Sequence, residues 1–315
     1  MRQLSSMVHR VGRASTVAAL SVAAISAAAP TLTAQGPAEP MVKVVRGWPL
    51  DGDGLVKVFN AVGTVRVIGW NHDSVSLTGM AAKSGRIFGG GGRRGIKMGI
   101  EGDQGRATPR ADFVLYVPAG AIVWVRGAAT DITVEGLTGG VDCGSVSGAL
   151  RIVGSPRDLV AESMEGTIDI VGSPSILRAK TASGALRWTG QASDASLGSV
   201  TGLIEALGGP IGRVRIETIS GTVRLDGALA SDAAVVIESH SGDVELRFPA
   251  KAPARLEVDA ARIVGAATKG QPAPTGKRVG MRTIALNAAT ASAPSVTVRT
   301  FKGEVRILPP SPIPR

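Results

Sequence analysis

Ser239-His240-Ser241-Gly242-Asp243 places a hydroxyl, an imidazole and a carboxylate within five residues. A hydrolytic triad is assembled in space around an oxyanion hole, and neighbours along one turn do not supply that geometry. The string is read as a turn. Asp51-Gly52-Asp53-Gly54 begins like a calcium loop but lacks the later ligands and the closing glutamate; its glycines suit a tight turn. In Phe88-Gly-Gly-Gly-Gly-Arg-Arg-Gly95 the glycines invite comparison with a phosphate cradle, yet Arg93-Arg94 stands where Lys followed by Ser or Thr is needed. The wider segment 83–110 carries Lys83, Arg86, Arg93, Arg94, Lys97, Arg106 and Arg110 against Glu101 and Asp103, a local charge of +5. Arg86, Arg93 and Arg94 are therefore the candidate contacts for an anionic ligand.

Asp169, Glu205 and Glu245 are the carboxylates that a polysaccharide-cleaving β-helix would set along a groove. Arginines alternate with them, which lowers their pKa and keeps them ionised, the wrong state for a general acid. One cysteine, Cys143, excludes a disulfide framework and any multi-cysteine zinc or iron–sulfur site, and three histidines leave little for a His-based metal centre. No catalytic residue, metal site or cofactor is expected. Cys143 reads as a small buried filler.

What must position any binding residue is a chain of aliphatic strands and many turns. Hydrophobic residues make up 44% of the 315 but aromatics only 3%, while glycine occurs 42 times. The net charge is +10, and Arg2, Arg10 and Arg13 precede an apolar run at 17–29 that is too short to span a bilayer. That is the form of a secretory signal peptide, assigned to 1–35. Without its three arginines the mature charge is +7. No later stretch is long and apolar enough for a transmembrane helix. Export, to the periplasm or the cell surface, is the expectation, and nucleic acid is disfavoured by that address and by the scarcity of aromatics for stacking.

From 129 to 249 the chain repeats itself. Gly148, Gly166, Gly184, Gly202, Gly221 and Gly242 follow one another at 18, 18, 18, 19 and 21 residues, with Thr130 in the same place one repeat earlier. Six residues on comes a second glycine, at Gly136, Gly154, Gly172, Gly190, Gly208 and Gly227. Apolar residues alternate between the two, as in Leu150/Ile152, Ile168/Ile170 and Val223/Leu225, which is the pattern of a half-buried strand. Second strands are expected at 159–163, 176–181, 214–218 and 235–239. Eighteen residues cannot hold a βαβ crossover. The prediction is an all-β, parallel β-helix-like solenoid of two-strand repeats, with Leu150, Ile168, Leu186, Ile204, Val223 and Val244 in one inward column.

Three residues after each glycine stand Arg151, Asp169, Arg187, Glu205, Arg224 and Glu245, alternating in sign throughout. Stacking at one repeat per coil would place each between opposite charges. Gly63 and Gly303 open further copies of the motif in the flanks. The organisation is thus a leader at 1–35, an N-terminal β region at 36–128 with a mobile Gly/Arg-rich loop at 83–110, the repeats at 129–249, and a C-terminal β region and tail at 250–315 with a second loop at 265–280.

Val114-Leu-Tyr-Val-Pro118, Ala119-Gly120, a strand and then Ser-Gly-x-apolar-x-apolar units resemble the adhesin-like family of β-strand-repeat domains of unknown function in exported bacterial proteins. The terminal copy Val298-Arg-Thr-Phe-Lys-Gly-Glu-Val-Arg-Ile307 fits as well, so the likeness covers 40–310; Glu165-Gly166 and Lys302-Gly303 depart from its usual Ser or Thr before glycine. The resemblance implies a β-repeat fold and a surface role and brings no catalytic residue with it. The expected function is an exported, non-catalytic envelope or surface protein, binding or structural, whose partner is an envelope protein, a glycan or an anionic polymer. The alternative is a carbohydrate-active β-helix enzyme acting on envelope or extracellular polysaccharide. Glycan binding calls for exposed aromatic platforms, and most aromatics here stand isolated in the sequence or, like Trp188, at inward positions.

Overall fold

The computed structural model describes residues 39–249, 252–265, 279–287 and 292–309. The predicted leader, most of the segment 265–280 and the end of the tail lie outside them. No helix occurs among the described residues. The strands are β1 (Met41–Pro49), β2 (Leu55–Phe59), β3 (Val62–Trp70), β4 (Ser74–Ala82), β5 (Arg86–Gly92), β6 (Gly95–Glu101), β7 (Arg110–Pro118), β8 (Ile122–Arg126), β9 (Ala129–Glu135), β10 (Gly140–Ser145), β11 (Leu150–Val153) and β12 (Asp158–Ser163). They continue as β13 (Ile168–Val171), β14 (Ile176–Thr181), β15 (Leu186–Gly190), β16 (Asp194–Ser199), β17 (Ile204–Thr218), β18 (Val223–Ser239), β19 (Val244–Arg247), β20 (Ala254–Ala260), β21 (Arg262–Gly265), β22 (Val279–Leu286), β23 (Ser295–Thr300) and β24 (Glu304–Leu308).

Two hydrogen-bonded ladders organise them. The first runs β1-β4-β7-β3-β9-β11-β13-β15-β17-β18-β19-β24-β21. The second runs β5-β6-β2-β8-β10-β12-β14-β16-β17-β18-β23-β20-β22. Strands β17 and β18 serve both, their first halves in one ladder and their last halves in the other. They pass the second corner without a break, with register shifts around Ile211. All 24 strands consequently belong to one sheet that wraps one core in a nearly closed, barrel-like way, where the repeats alone predict a corner after every strand.

Within the repeats the parallel partners are one repeat apart. Leu150, Ile168, Leu186, Ile204, Val223 and Val244 are successive Cα partners and all are buried, the inward column that period two demands. Each such side chain stabilises by roughly 1.5–3 kcal/mol relative to leaving it in water. The flanking copies join the same column, Val65 beside Ile132 and Val305 beside Val244. Chain order does not survive at the C-terminal end. β23 and β24 sit between β18/β19 and β20/β21, so the last copy is threaded inside the one before it.

The glycine column has a steric cause. A Cβ on Gly166, Gly184, Gly202, Gly221 or Gly242 would stand 1.9–2.1 Å from the carbonyl oxygen of the equivalent glycine one coil earlier, and Gly303 continues the series against Gly242 at 2.1 Å. Backbone meets backbone there, and only glycine fits. A second column was not anticipated from the sequence. Three residues before the glycine, the hydroxyls of Ser145, Thr181, Thr218, Ser239 and Thr300 accept hydrogen bonds from the amides of Gly148, Gly184, Gly221, Gly242 and Gly303 at 2.8–3.1 Å. A buried amide at a corner needs a partner, and this column provides it. Its signal is a small polar residue at a fixed place before each glycine.

The Gly/Arg-rich segment 83–110 is not the loop expected of it. β5 and β6 pair antiparallel from Arg86↔Glu101 to Gly92↔Gly95, and β6 then pairs parallel with β2. Ile96, Met98 and Ile100 are buried while Lys97 is exposed, so one strand of the hairpin carries the period-two pattern and the glycine-rich strand covers its outer edge.

Candidate anion-binding face

The carboxylates that sequence reasoning weighed for catalysis are tied up in the first ladder. Asp169 pairs with Arg151. Glu205 accepts from Arg187 at 2.8 Å and from Arg224 at 3.0 Å, and Glu245 accepts from Arg224 at 3.1 Å and from Arg306 at 3.4 Å. The alternating charges therefore stand side by side on partnered strands, one repeat apart. Burial opposes the ionised form of Glu205, but the hydrogen bonds and charges of Arg187 and Arg224 outweigh it and hold the carboxyl below the usual carboxylate range. Ser239 bonds the backbone of Gly242, His240 stacks on Phe301 with ring centroids 5.5 Å apart, and the Asp243 carboxylate pairs with Arg306 at 3.2 Å. Asp51 closes a turn by accepting from the Gly54 amide at 2.9 Å, and its carboxylate pairs with Arg93. Cys143 is fully buried, and burial pushes its thiol up to about 12. Trp188 is inward, as expected, and its Nε1 donates to the Gly172 carbonyl at 3.3 Å.

A different constellation lies on the outer face of the second ladder. β6, β2 and β8 run parallel side by side with Ile96, Met98, Val56, Val58, Val123 and Val125 buried beneath. The intervening residues must face outwards. One cross-strand row is Lys97, Lys57 and Trp124, and the next is Gly99, Phe59 and Arg126, with Phe88 of β5 opposite Gly99. The Phe59 ring lies 5.0 Å from that of Trp124 and 6.4 Å from that of Phe88, tilted by 58° and 45°. Gly99 admits the Phe88 ring, for a Cβ there would approach its Cζ to 2.9 Å and the Phe59 carbonyl oxygen to 2.3 Å.

Cations stand over these rings. Lys97 Nζ is 4.9 Å from the centre of the Phe59 ring and 5.7 Å from that of Phe88, and the Arg126 guanidinium is 4.3 Å from the centre of Trp124. Arg126 also pairs with Asp142 at 2.8 Å. Lys57 and Lys97 are direct Cα partners, and neither is paired with a carboxylate among the described residues. Like charges directly opposite destabilise a sheet.

No family model and no curated protein matches the chain. Among the solved structures it resembles, three are named as adhesins or a cell adhesion protein and one, from Parabacteroides distasonis, as a lipid-binding protein. A candidate adhesin from Bacteroides fragilis is 11% identical, with 85% of this chain and 97% of that chain covered and a TM-score of 0.42. Another, from Parabacteroides merdae, is 12% identical over 84% and 95% at a TM-score of 0.38, and a candidate cell adhesion protein from Clostridium sporogenes is 10% identical over 86% and 99% at 0.20. At this likeness they say nothing of what the present chain binds.

The three arginines singled out from the sequence are brought to the same hairpin but not to one point. Arg86 pairs with Glu101 at 2.5 Å and Arg93 with Asp51 at 2.8 Å. Arg94 sits in the hairpin turn, where its carbonyl accepts from the Leu55 amide at 3.0 Å, and its guanidinium has no ion pair among the described residues. Sequence reasoning missed Lys57, Phe59, Phe88 and Trp124. The available signal was phase: Lys57 and Phe59, like Trp124 and Arg126, occupy outward positions beside Val56, Val58, Val123 and Val125.

Proposed function

We propose that the protein is an exported, non-catalytic binding protein of the cell envelope, and that the face formed by β6, β2 and β8 takes an anionic polymer. In this reading the parallel rungs of 129–249 are the coils of a β-solenoid, the region 36–128 carries the binding face, 250–315 closes the far end, and the leader at 1–35 directs export. The observation that carries the reading is the Lys57–Lys97 pair. Keeping two lysines at directly partnered positions without a carboxylate counter-charge costs stability, roughly 0.2–1 kcal/mol; an anion bound to both reverses the sign of that term. Arg94 adds a third cation beside the start of β2. Arg86 and Arg93 join the site by exchanging the carboxylates of Glu101 and Asp51 for those of the ligand. The non-catalytic part of the reading is supported by the arginine pairing of Asp169, Glu205 and Glu245, and by the arginines that hold the Glu205 carboxyl below the usual carboxylate range, the wrong state for a general acid.

The test is retention on immobilised polyglutamate as ionic strength rises. Lys57→Gln with Lys97→Gln should elute at clearly lower salt, with a flatter salt dependence, and Arg86→Ser with Arg93→Ser and Arg94→Ser should show a smaller loss. Wild-type elution by both variants would refute the reading. Turnover of a polysaccharide that disappears on Glu205→Gln would refute its non-catalytic part.

A further inference from the structure

The anion-binding face is also an aromatic one, and this second property narrows the ligand. We infer that it binds an acidic polysaccharide whose chain crosses β6, β2 and β8 one sugar per strand; the inference rests on the anion-binding reading above and names its ligand class.

Lys97, Lys57 and Trp124 lie in one row on three adjacent strands, with Phe59 and Arg126 in the row alongside. Neighbouring strands are ~4.8 Å apart, about the length of one pyranose unit in a linear chain. Carboxylates on two consecutive sugars therefore meet Lys97 and Lys57, and the next sugar meets Trp124. The part-exposed rings of Phe59, Phe88 and Trp124, where Lys97 and Arg126 leave them open, attract the polarised C–H groups on the flat side of a sugar ring, as they attract other groups of positive character. A bare polyphosphate has nothing to offer them.

The mutual tilt of the rings selects further. Phe59 is inclined by 58° to Trp124 and by 45° to Phe88. A planar nucleobase lies flat against only one such ring, whereas a puckered sugar with C–H groups on several sides touches two. Lys97 stands over the Phe59 ring and Arg126 over the Trp124 ring, so a sugar that meets these faces meets a cation there and presents its carboxylate to it. Gly99 and Gly144 keep the floor low: a Cβ on Gly144 would stand 3.2 Å from Cδ of Arg126, and one on Gly99 would displace Phe88.

The experiment compares oligogalacturonate, polyphosphate and a single-stranded oligonucleotide of equal charge for binding to the full chain by calorimetry. Oligogalacturonate should bind about tenfold more tightly than either competitor, and Trp124→Leu with Phe88→Leu should abolish that preference while leaving polyphosphate binding intact. Saturation-transfer NMR on the unmodified protein gives a readout independent of any variant: irradiating aromatic protons should transfer to the sugar C–H protons. Equal affinity for the three polyanions, a preference for the oligonucleotide, or absence of that transfer overturns the acidic-glycan assignment and leaves the anion site standing if Lys57→Gln with Lys97→Gln still weakens polyphosphate binding. If none of the three binds, or if the lysine changes alter nothing, the anion-binding reading falls as well.

Discussion

The charged column of the first ladder and the β6-β2-β8 face of the second are both built from parallel strands, yet they treat charge in opposite ways. Along Arg151, Asp169, Arg187, Glu205, Arg224, Glu245 and Arg306 every residue has a partner of opposite sign one coil away. At the N-terminal end Lys57 faces Lys97, and rings take the place of carboxylates. The second ladder also sets Glu217 opposite Glu238, but Arg215 answers both carboxylates; the lysine pair has no such answer among the described residues.

The same contrast governs the backbone, and the largest expected effect tests it there. Gly184→Ala should destabilise by about 2–3 kcal/mol, since the new Cβ would fall 2.1 Å from the Gly166 carbonyl oxygen and two coils would have to part. Gly92→Ala, at an open site on the glycine-rich strand of the hairpin, should be close to neutral. Chemical denaturation of both variants decides the matter, and equal midpoints would remove the distinction between stacked and open glycines. Charge comes next. Arg187→Glu sets a third carboxylate between Asp169 and Glu205 and should cost about 1 kcal/mol at low salt, less as salt is added. A midpoint identical to wild type would show that the column contributes register and no stability.

Acid sharpens the comparison in a single titration. The folded pKa of Glu205 lies below its unfolded value because two arginines hold the carboxylate. Its contribution is thus complete above the ordinary carboxylate range and is lost as pH falls through the depressed folded value. Glu205→Gln should be less stable than wild type at neutral pH and lose less stability between neutral and acid; parallel pH profiles would contradict the assignment. The smallest effect carries the opposite sign. Lys57→Gln relieves the repulsion from Lys97 and should raise stability by about 0.2–0.5 kcal/mol at low salt, whereas removing a charge from the column lowers it. Destabilisation by Lys57→Gln would mean that the lysine pair is held by contacts stronger than its repulsion.

Much of the regular part was legible because its physics is local and repeated. Alternation placed Leu150, Ile168 and Leu186 inward before any partner was known, and the sign order of Arg151, Asp169 and Arg187 announced the register. The glycine spacing located the corners for a reason now visible as carbonyl oxygens pressed against each Cα. The hairpin was misread as a loop because glycine weakens the strand signal, and its pairing is supplied by β2, 40 residues away from Gly95↔Leu55 in the chain.

By itself, then, the amino-acid sequence determined the all-β class, the inward column, the corner positions and the alternating charges, since each depends on residue type and on a period no longer than one coil. Tertiary structure alone decided which distant segments became neighbours. β2 pairs with β6 and β8 instead of with a strand one repeat away, and β24 enters between β19 and β21. Phe59, Phe88 and Trp124 meet only because of the first of these choices. Such pairings are settled by which edges are free and which faces need covering once the core has formed, and no periodicity along the chain encodes them.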